Sequence, residues 1–247
     1  MGPALALAPA FALAPALALV PGLNNSRRVW DGVAASLGAA AACHALDCPP
    51  LDTVEQVADA LLAQLPPRFF LCGFSFGGYV ALAMLERAPE RVAALALVNS
   101  GATADNDAQR AARQKAITTA EAGGHETMVE AQAAMVFHAA SLANPALMRS
   151  RMEMVREYGA KRLIAHARAC MARPDRTALV AAARCPVLVV AAADDRVVPT
   201  ATQQAFAQSL PGARYVEIGA AGHMLPLEQP AALADALRPW LTQAATA

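Results

Sequence analysis

A chain of 247 residues with 56% hydrophobic content has the length for one α/β domain with an insertion and enough apolar side chains for a sizeable core, which excludes wholesale disorder. Formal charge is zero and the pI is near 7, so nothing in the charge balance calls for nucleic acid or an anionic membrane as a partner. Five cysteines (Cys43, Cys48, Cys72, Cys170, Cys185) form no C-x-x-C pair, which argues against a disulfide framework or a zinc site and fits a reducing, cytoplasmic setting.

The first twenty residues are apolar, but no Lys or Arg precedes Arg27, and Pro3, Pro9, Pro15 and Pro21 recur every six residues. Neither a cleaved leader nor a spanning helix is therefore expected, and residues 2–14 carry no readable role. From residue 16 onward strands and helices alternate, as a parallel sheet covered by helices requires. The expected order is strand 16–20, helix 26–37 capped by Asn25 or Ser26, strand 40–46, and helix 53–64 with Asp52 as N-cap. Strand 69–74, helix 76–87 and strand 92–99 follow. The run V-A-A-L-A-L-V at 92–98 is continuously apolar, as in a strand buried on both faces.

Then the rhythm stops, and helix signals alone fill residues 105–184. Asp105-Asn106 can cap a helix that Gly123-Gly124 ends. Residues 125–140 carry Met128, Val129, Met135 and Val136 in a seven-residue recurrence, which puts them on one face of a helix. Asn144-Pro145 starts another helix reaching Tyr158, and a further one runs from Gly159 to Ala172. The sheet resumes with strand 187–193, helix 202–210, strand 213–218 and helix 230–242. The expected fold class is α/β, a mostly parallel sheet flanked by helices. Residues 1–103 and 185–247 form its core, and residues 104–184 form an all-helical cap inserted in it.

The stretch L-C-G-F-S-F-G-G at 71–78 puts Ser75 in G-x-S-x-G, between a strand and a helix. A sharp turn there lifts the serine hydroxyl off the sheet edge, provided Gly73 and Gly77 lack side chains. A hydroxyl is a poor nucleophile unless a base takes its proton and a third group orients that base. His223, in G-A-A-G-H-M-L-P, follows the last strand; Asp194 and Asp195, in A-A-A-D-D-R-V-V-P, follow the preceding one. All these positions fall at the C-terminal edge of a parallel sheet, where ligands bind.

In the order Ser, Asp, His, with G-x-S-x-G, D-x-x-x-P and a late G-H, the chain resembles the α/β-hydrolase family. The resemblance is to its small capped esterases and spans residues 16–102 and 185–241. It implies Ser75 as nucleophile and His223 as base. Asp195 is the implied acid ahead of Asp194, since the family's acid stands three residues after a glycine, here Ala192, and four before a proline. The family's other acid position holds Asn99. The implied oxyanion donors are the backbone N–H groups of Phe76 and of Leu23, although Pro21 stands where the family usually has histidine. Asn24, Phe74, Asn99 and Met224 are the expected pocket residues. The resemblance implies a small-molecule ester substrate, with carrier-bound acyl groups among the candidates, and neither metal nor organic cofactor.

The helical insertion holds twelve Lys or Arg against eight Asp or Glu between residues 101 and 184, a mild excess that suits an acidic substrate or carrier but equally suits solvated helix faces. Arg110, Arg113, Arg149, Arg151 and Arg156 are candidate anchors for a carboxylate or carrier phosphate. Six methionines (Met128, Met135, Met148, Met152, Met154, Met171) fit helix packing first and a deformable lid second. His44, His125, His138 and His166 lack catalytic context. The same scaffold also serves carbon-carbon hydrolysis, hydroxynitrile cleavage, perhydrolysis and ligand binding without turnover, and the sequence leaves these, with acyl length and oligomeric state, open.

Overall fold

The computed structural model describes residues 15–245; the reading of residues 2–14 falls outside them. Six strands form one sheet: β1 (Ala16–Val20), β2 (Ala42–Ala45), β3 (Phe69–Phe74), β4 (Val92–Val98), β5 (Val187–Ala192) and β6 (Arg214–Ile218). Their spatial order is β2-β1-β3-β4-β5-β6, and every pairing is parallel. Helices α1 (Asp31–Leu37), α2 (Val54–Leu62) and α3 (Phe76–Arg87) connect the first four strands. Between β4 and β5 lie only helices: α4 (Asp107–Glu121), α5 (His125–Ala131), α6 (Ala133–Val136), α7 (Ala139–Leu142), α8 (Pro145–Ala172) and α9 (Thr177–Ala181). Helix α10 (Thr200–Gln208) joins β5 to β6, and α11 (Leu225–Glu228) and α12 (Pro230–Ala245) close the chain.

Every residue of β3 and β5 is buried, because helices cover both faces of the sheet. Alternation along β3 divides the core. Phe69 and Leu71 point to the side of α2, α3 and α10, whereas Phe70, Cys72 and Phe74 point to α1 and α12, where Phe70 meets Trp240 edge-on.

Several local expectations are corrected. Thr53 caps α2 in place of Asp52, its Oγ1 accepting the Gln56 N–H at 3.2 Å. Neither Asn25 nor Ser26 caps a helix: residues 27–30 form a 3-10 turn, α1 starts only at Asp31, and Asn25 and Ser26 face Arg151 and Glu157 of the insertion. The single helix expected over 125–140 is three short ones, although Met128, Val129, Met135 and Val136 all line one cavity and Met135 is 55% exposed. The interruption has a cause. Phe137 adopts an extended conformation and is buried, while the Val136 carbonyl accepts the Met224 N–H at 3.1 Å and Glu228 accepts the His138 N–H at 2.8 Å. The insertion is thus stitched to the loop after β6 at the expense of helix continuity. Gly159, with φ 74°, breaks α8 where the sequence places a boundary.

Candidate active site

Four non-glycine residues take a positive φ among the described residues, and all four follow a strand at its C-terminal end. They are Asn24 (58°) after β1, Ser75 (52°) after β3, Asn99 (46°) after β4 and Ala220 (53°) after β6. Strain gathered at one sheet edge marks a place where the surroundings impose a conformation the chain would not choose.

At the end of β3 the Ser75 N–H donates to the Val98 carbonyl at 2.9 Å, and α3 begins at once with Phe76. A Cβ on Gly73 would run into the Gly77 carbonyl, and one on Gly77 into that of Val20. Both glycines of the motif are therefore obligatory here, as the sequence anticipates.

The Ser75 Oγ lies 2.9 Å from His223 Nε2. On the other side of the ring, Nδ1 lies 2.9 Å from Asp195 Oδ2 and 3.1 Å from Oδ1. The carboxylate is fully buried, and it also accepts the N–H groups of Val197 and Val198 (2.8 and 2.9 Å) and the Gln203 amide (3.3 Å). These bonds fix the plane of the carboxylate against the His223 ring. Asp194 instead is half exposed, its carboxylate 3.8 Å from His138. The spacing to Pro199 thus separates two adjacent aspartates that composition alone leaves equivalent.

Two expected pocket residues do not line the cavity beside Ser75. Asn99 is fully buried and works as a brace: its Nδ2 donates to the His223 carbonyl at 2.9 Å and its Oδ1 accepts the Ala192 N–H at 2.8 Å. Phe74, one position before the serine, necessarily points to the opposite side of the sheet, where it packs against Trp30 and the His223 ring. Asn24 and Met224 do line the cavity, as do Leu23 and Phe76.

That cavity, of about 320 Å³, is walled on the far side by the insertion, through Gln109, Arg113, Met128, Gln132, Met135, Arg151 and Leu163. A larger depression of about 570 Å³ lies between Leu85–Ala93 and the segment before β5, and it contains none of Ser75, Asp195 and His223. Of the six insertion methionines only Met128 and Met135 line the cavity; Met154 is buried in the main core.

Residues without a sequence signal complete the site. Glu228 accepts the N–H groups of Gly222 and His138, so one carboxylate ties the His223 loop to the insertion. His166 stacks on Phe76 with ring centroids 4.6 Å apart; its Nε2 donates to the Pro49 carbonyl at 2.8 Å, leaving Nδ1 to accept the Tyr158 hydroxyl at 2.5 Å. Burial pushes its pKa down to about 4, so the ring is neutral at physiological pH.

The described residues hold no cluster of His, Cys, Asp and Glu suited to a metal ion, and no helix among them is long and apolar enough to cross a membrane. A family model described as the alpha/beta hydrolase family matches residues 17–236. The chain belongs to the α/β-hydrolase family. Its relatives include a pimeloyl-[acyl-carrier protein] methyl ester esterase of Nitrosomonas europaea, 40% identical over 29% of this chain and 32% of the esterase. A protein of Klebsiella pneumoniae named as a carbamate hydrolase, RutD, is 30% identical over 68% of this chain and 64% of its own. The chain therefore matches about a third of one curated relative and slightly under two thirds of the other. Among solved structures, a thermophilic esterase from Thermogutta terrifontis superposes with a TM-score of 0.88, at 26% identity, over 93% of this chain and 90% of the esterase.

Proposed function

We propose that the protein is a serine hydrolase of carboxylic esters that works through an acyl-enzyme. The observation that carries this reading is the unbroken line from buried Asp195 through His223 to the Ser75 hydroxyl, with both histidine nitrogens at 2.9 Å from their nearest partners. In the proposed reaction His223 Nε2 takes the hydroxyl proton while Ser75 Oγ attacks the ester carbonyl. The Phe76 N–H, at the positive end of α3, and the Leu23 N–H stabilise the oxyanion. The alcohol leaves with the proton held by His223, and a water activated by the same nitrogen clears the acyl group. Asp195 stays ionised throughout and holds the ring in the tautomer with the proton on Nδ1.

Residues 104–184 act in this reading as a cap whose inner wall selects the acyl or alcohol portion. The name of the Nitrosomonas relative supports a carrier-bound ester as one candidate substrate. Arg113 and Arg151 bring charged groups of the insertion to the cavity, a feature that lyase chemistry on this scaffold would also use. One assay separates these. The wild type is expected to hydrolyse p-nitrophenyl esters of short acids, and Ser75→Ala to lose at least about 10,000-fold in kcat. Intact esters after incubation with the wild type, or undiminished turnover by Ser75→Ala, would overturn the proposal.

A further inference from the structure

Among the described residues, each buried arginine contacts a carboxylate, with one exception. Arg113 and Arg173 converge on the buried carboxylate of Asp105, and Arg176 reaches Glu55 at 2.6 Å and Glu86 at 2.7 Å. Arg151 is only 6% exposed, yet no carboxylate pairs with it among the described residues. Its Nη1 donates to the Asn24 carbonyl and to Asn25 Oδ1, and its buried Nε has no hydrogen-bond partner. A buried cation without a counter-charge is costly and persists only where something else compensates it. Desolvation draws its pKa down to about 10, so the guanidinium still carries its charge at neutral pH.

The cavity wall sharpens the point. Arg151 shares it with Ser75, His223 and Leu23, and no Asp or Glu lines it. The other arginine on the wall, Arg113, is ion-paired with Asp105, which it shares with Arg173. Of the two arginines on the wall, Arg151 is therefore the one without a carboxylate partner among the described residues. Because Nη1 is taken by the loop and Nε is shut off from solvent, Nη2, which makes no hydrogen bond among the described residues, is left to donate to a carboxylate oxygen.

We propose that Arg151 anchors a carboxylate of the substrate, so that the preferred ester is a half ester of a short dicarboxylic acid. This rests on the Ser75 hydrolase reading and adds the substrate class. The spacer is short because Arg151 grips Asn24, the neighbour of Leu23, which places the anchor within about two residue lengths, roughly 8 Å, of the oxyanion donor.

The test compares monomethyl succinate with the neutral dimethyl succinate at neutral pH. The wild type is expected to favour the monoanion by about 10- to 100-fold in kcat/KM, and Arg151→Met to lose that preference. Since Arg151 also braces the loop, both rates can fall in the variant; the ratio between the substrates is the diagnostic quantity, and Arg151→Lys should retain part of it. Calorimetry should further show succinate binding to Ser75→Ala and its loss in Ser75→Ala combined with Arg151→Met. Equal kcat/KM for the two esters in the wild type, or an equal fall for both in Arg151→Met, would overturn the proposal and leave Arg151 a loop brace. Failure of the wild type to cleave either ester would instead overturn the Ser75 reading, with succinate binding still deciding the role of Arg151.

Discussion

The sheet side of the cavity and the insertion side are held together in different ways. On the sheet side, Ser75, Asp195 and His223 sit on loops braced mainly by backbone groups and neutral side chains: Val98 under Ser75, Asn99 under His223, and Gln203 with two N–H groups around Asp195, the carboxylate of Glu228 on the Gly222 N–H being the charged exception. On the insertion side, charged groups provide the ties, with Asp105 gathering Arg113 and Arg173, and Arg28 reaching across from the core to Glu153 and Glu157. Backbone bracing ties a group to the sheet itself, whereas ion pairs can be replaced without rebuilding the sheet. Under the proposed function this division puts reactivity in the core and selectivity in the helices.

The largest expected effect tests the sheet side. Asp195→Asn keeps the shape of the carboxylate but cannot hold the histidine tautomer or stabilise the imidazolium, so kcat on p-nitrophenyl esters should fall about 1,000- to 10,000-fold. Asp194→Asn, at a half-exposed position, should change it by less than about threefold. Equal losses in the two variants would sink the assignment of the acid. Next in size is a blow to the insertion. Asp105→Ala strands two guanidinium groups, and urea denaturation should report a loss of about 3–5 kcal/mol. Arg173 also covers the ring of Tyr79, which lines the cavity, at 3.8 Å. The surviving folded enzyme should therefore show a raised KM with kcat nearly kept; a lowered kcat with unchanged KM would contradict the division.

The sheet side is also the part that the sequence makes legible. Continuous apolar runs announce β3, β4 and β5, and the glycines around Ser75 are demanded by contacts that any version of the turn would make. The family resemblance, through the spacing from Asp195 to Pro199, points to the carboxylate that lies on His223 rather than its neighbour. Legibility fails where a role depends on a partner far along the chain. Asn99 looks like a displaced acid or a pocket residue until its amide is seen to brace the His223 loop from 124 positions away. Arg151 is one of five similar arginines until the counter-charges are located, and no local pattern distinguishes a paired cation from an unpaired one. The recurrence over 125–140 misleads because contacts with the His223 loop override the helical preference.

A pH titration probes the seam between the two sides, where His166 stacks on Phe76. Its pKa falls from 6.5 in the unfolded chain to about 4 in the folded protein. On acidification the unfolded state therefore takes the proton first. The stability His166 supports is complete above pH 6.5 and is lost as the pH falls towards 4, amounting to about 2 kcal/mol by pH 5. Urea midpoints at pH 7 and pH 5 should show this loss in the wild type and a smaller one in His166→Gln, where no ring remains to be protonated. Parallel losses in both proteins would show that other groups govern the acid limb.

The smallest effect isolates the insertion alone. Helix α4 begins with a reciprocal pair, in which Asn106 Oδ1 accepts the Gln109 N–H at 2.9 Å and Gln109 Oε1 accepts the Asn106 N–H at 3.0 Å. Asn106→Ala removes half of this box, and denaturation should record about 1 kcal/mol. The kinetic consequence matters more than the energy. Helix α4 carries Gln109 and Arg113 to the cavity but supplies none of Ser75, Asp195 and His223, so its first turn can fray without disturbing the bond-making groups. KM should rise modestly while kcat holds. A fall in kcat of the same size would mean that the insertion reaches the reacting atoms, and the separation of reactivity from selectivity would have to be abandoned.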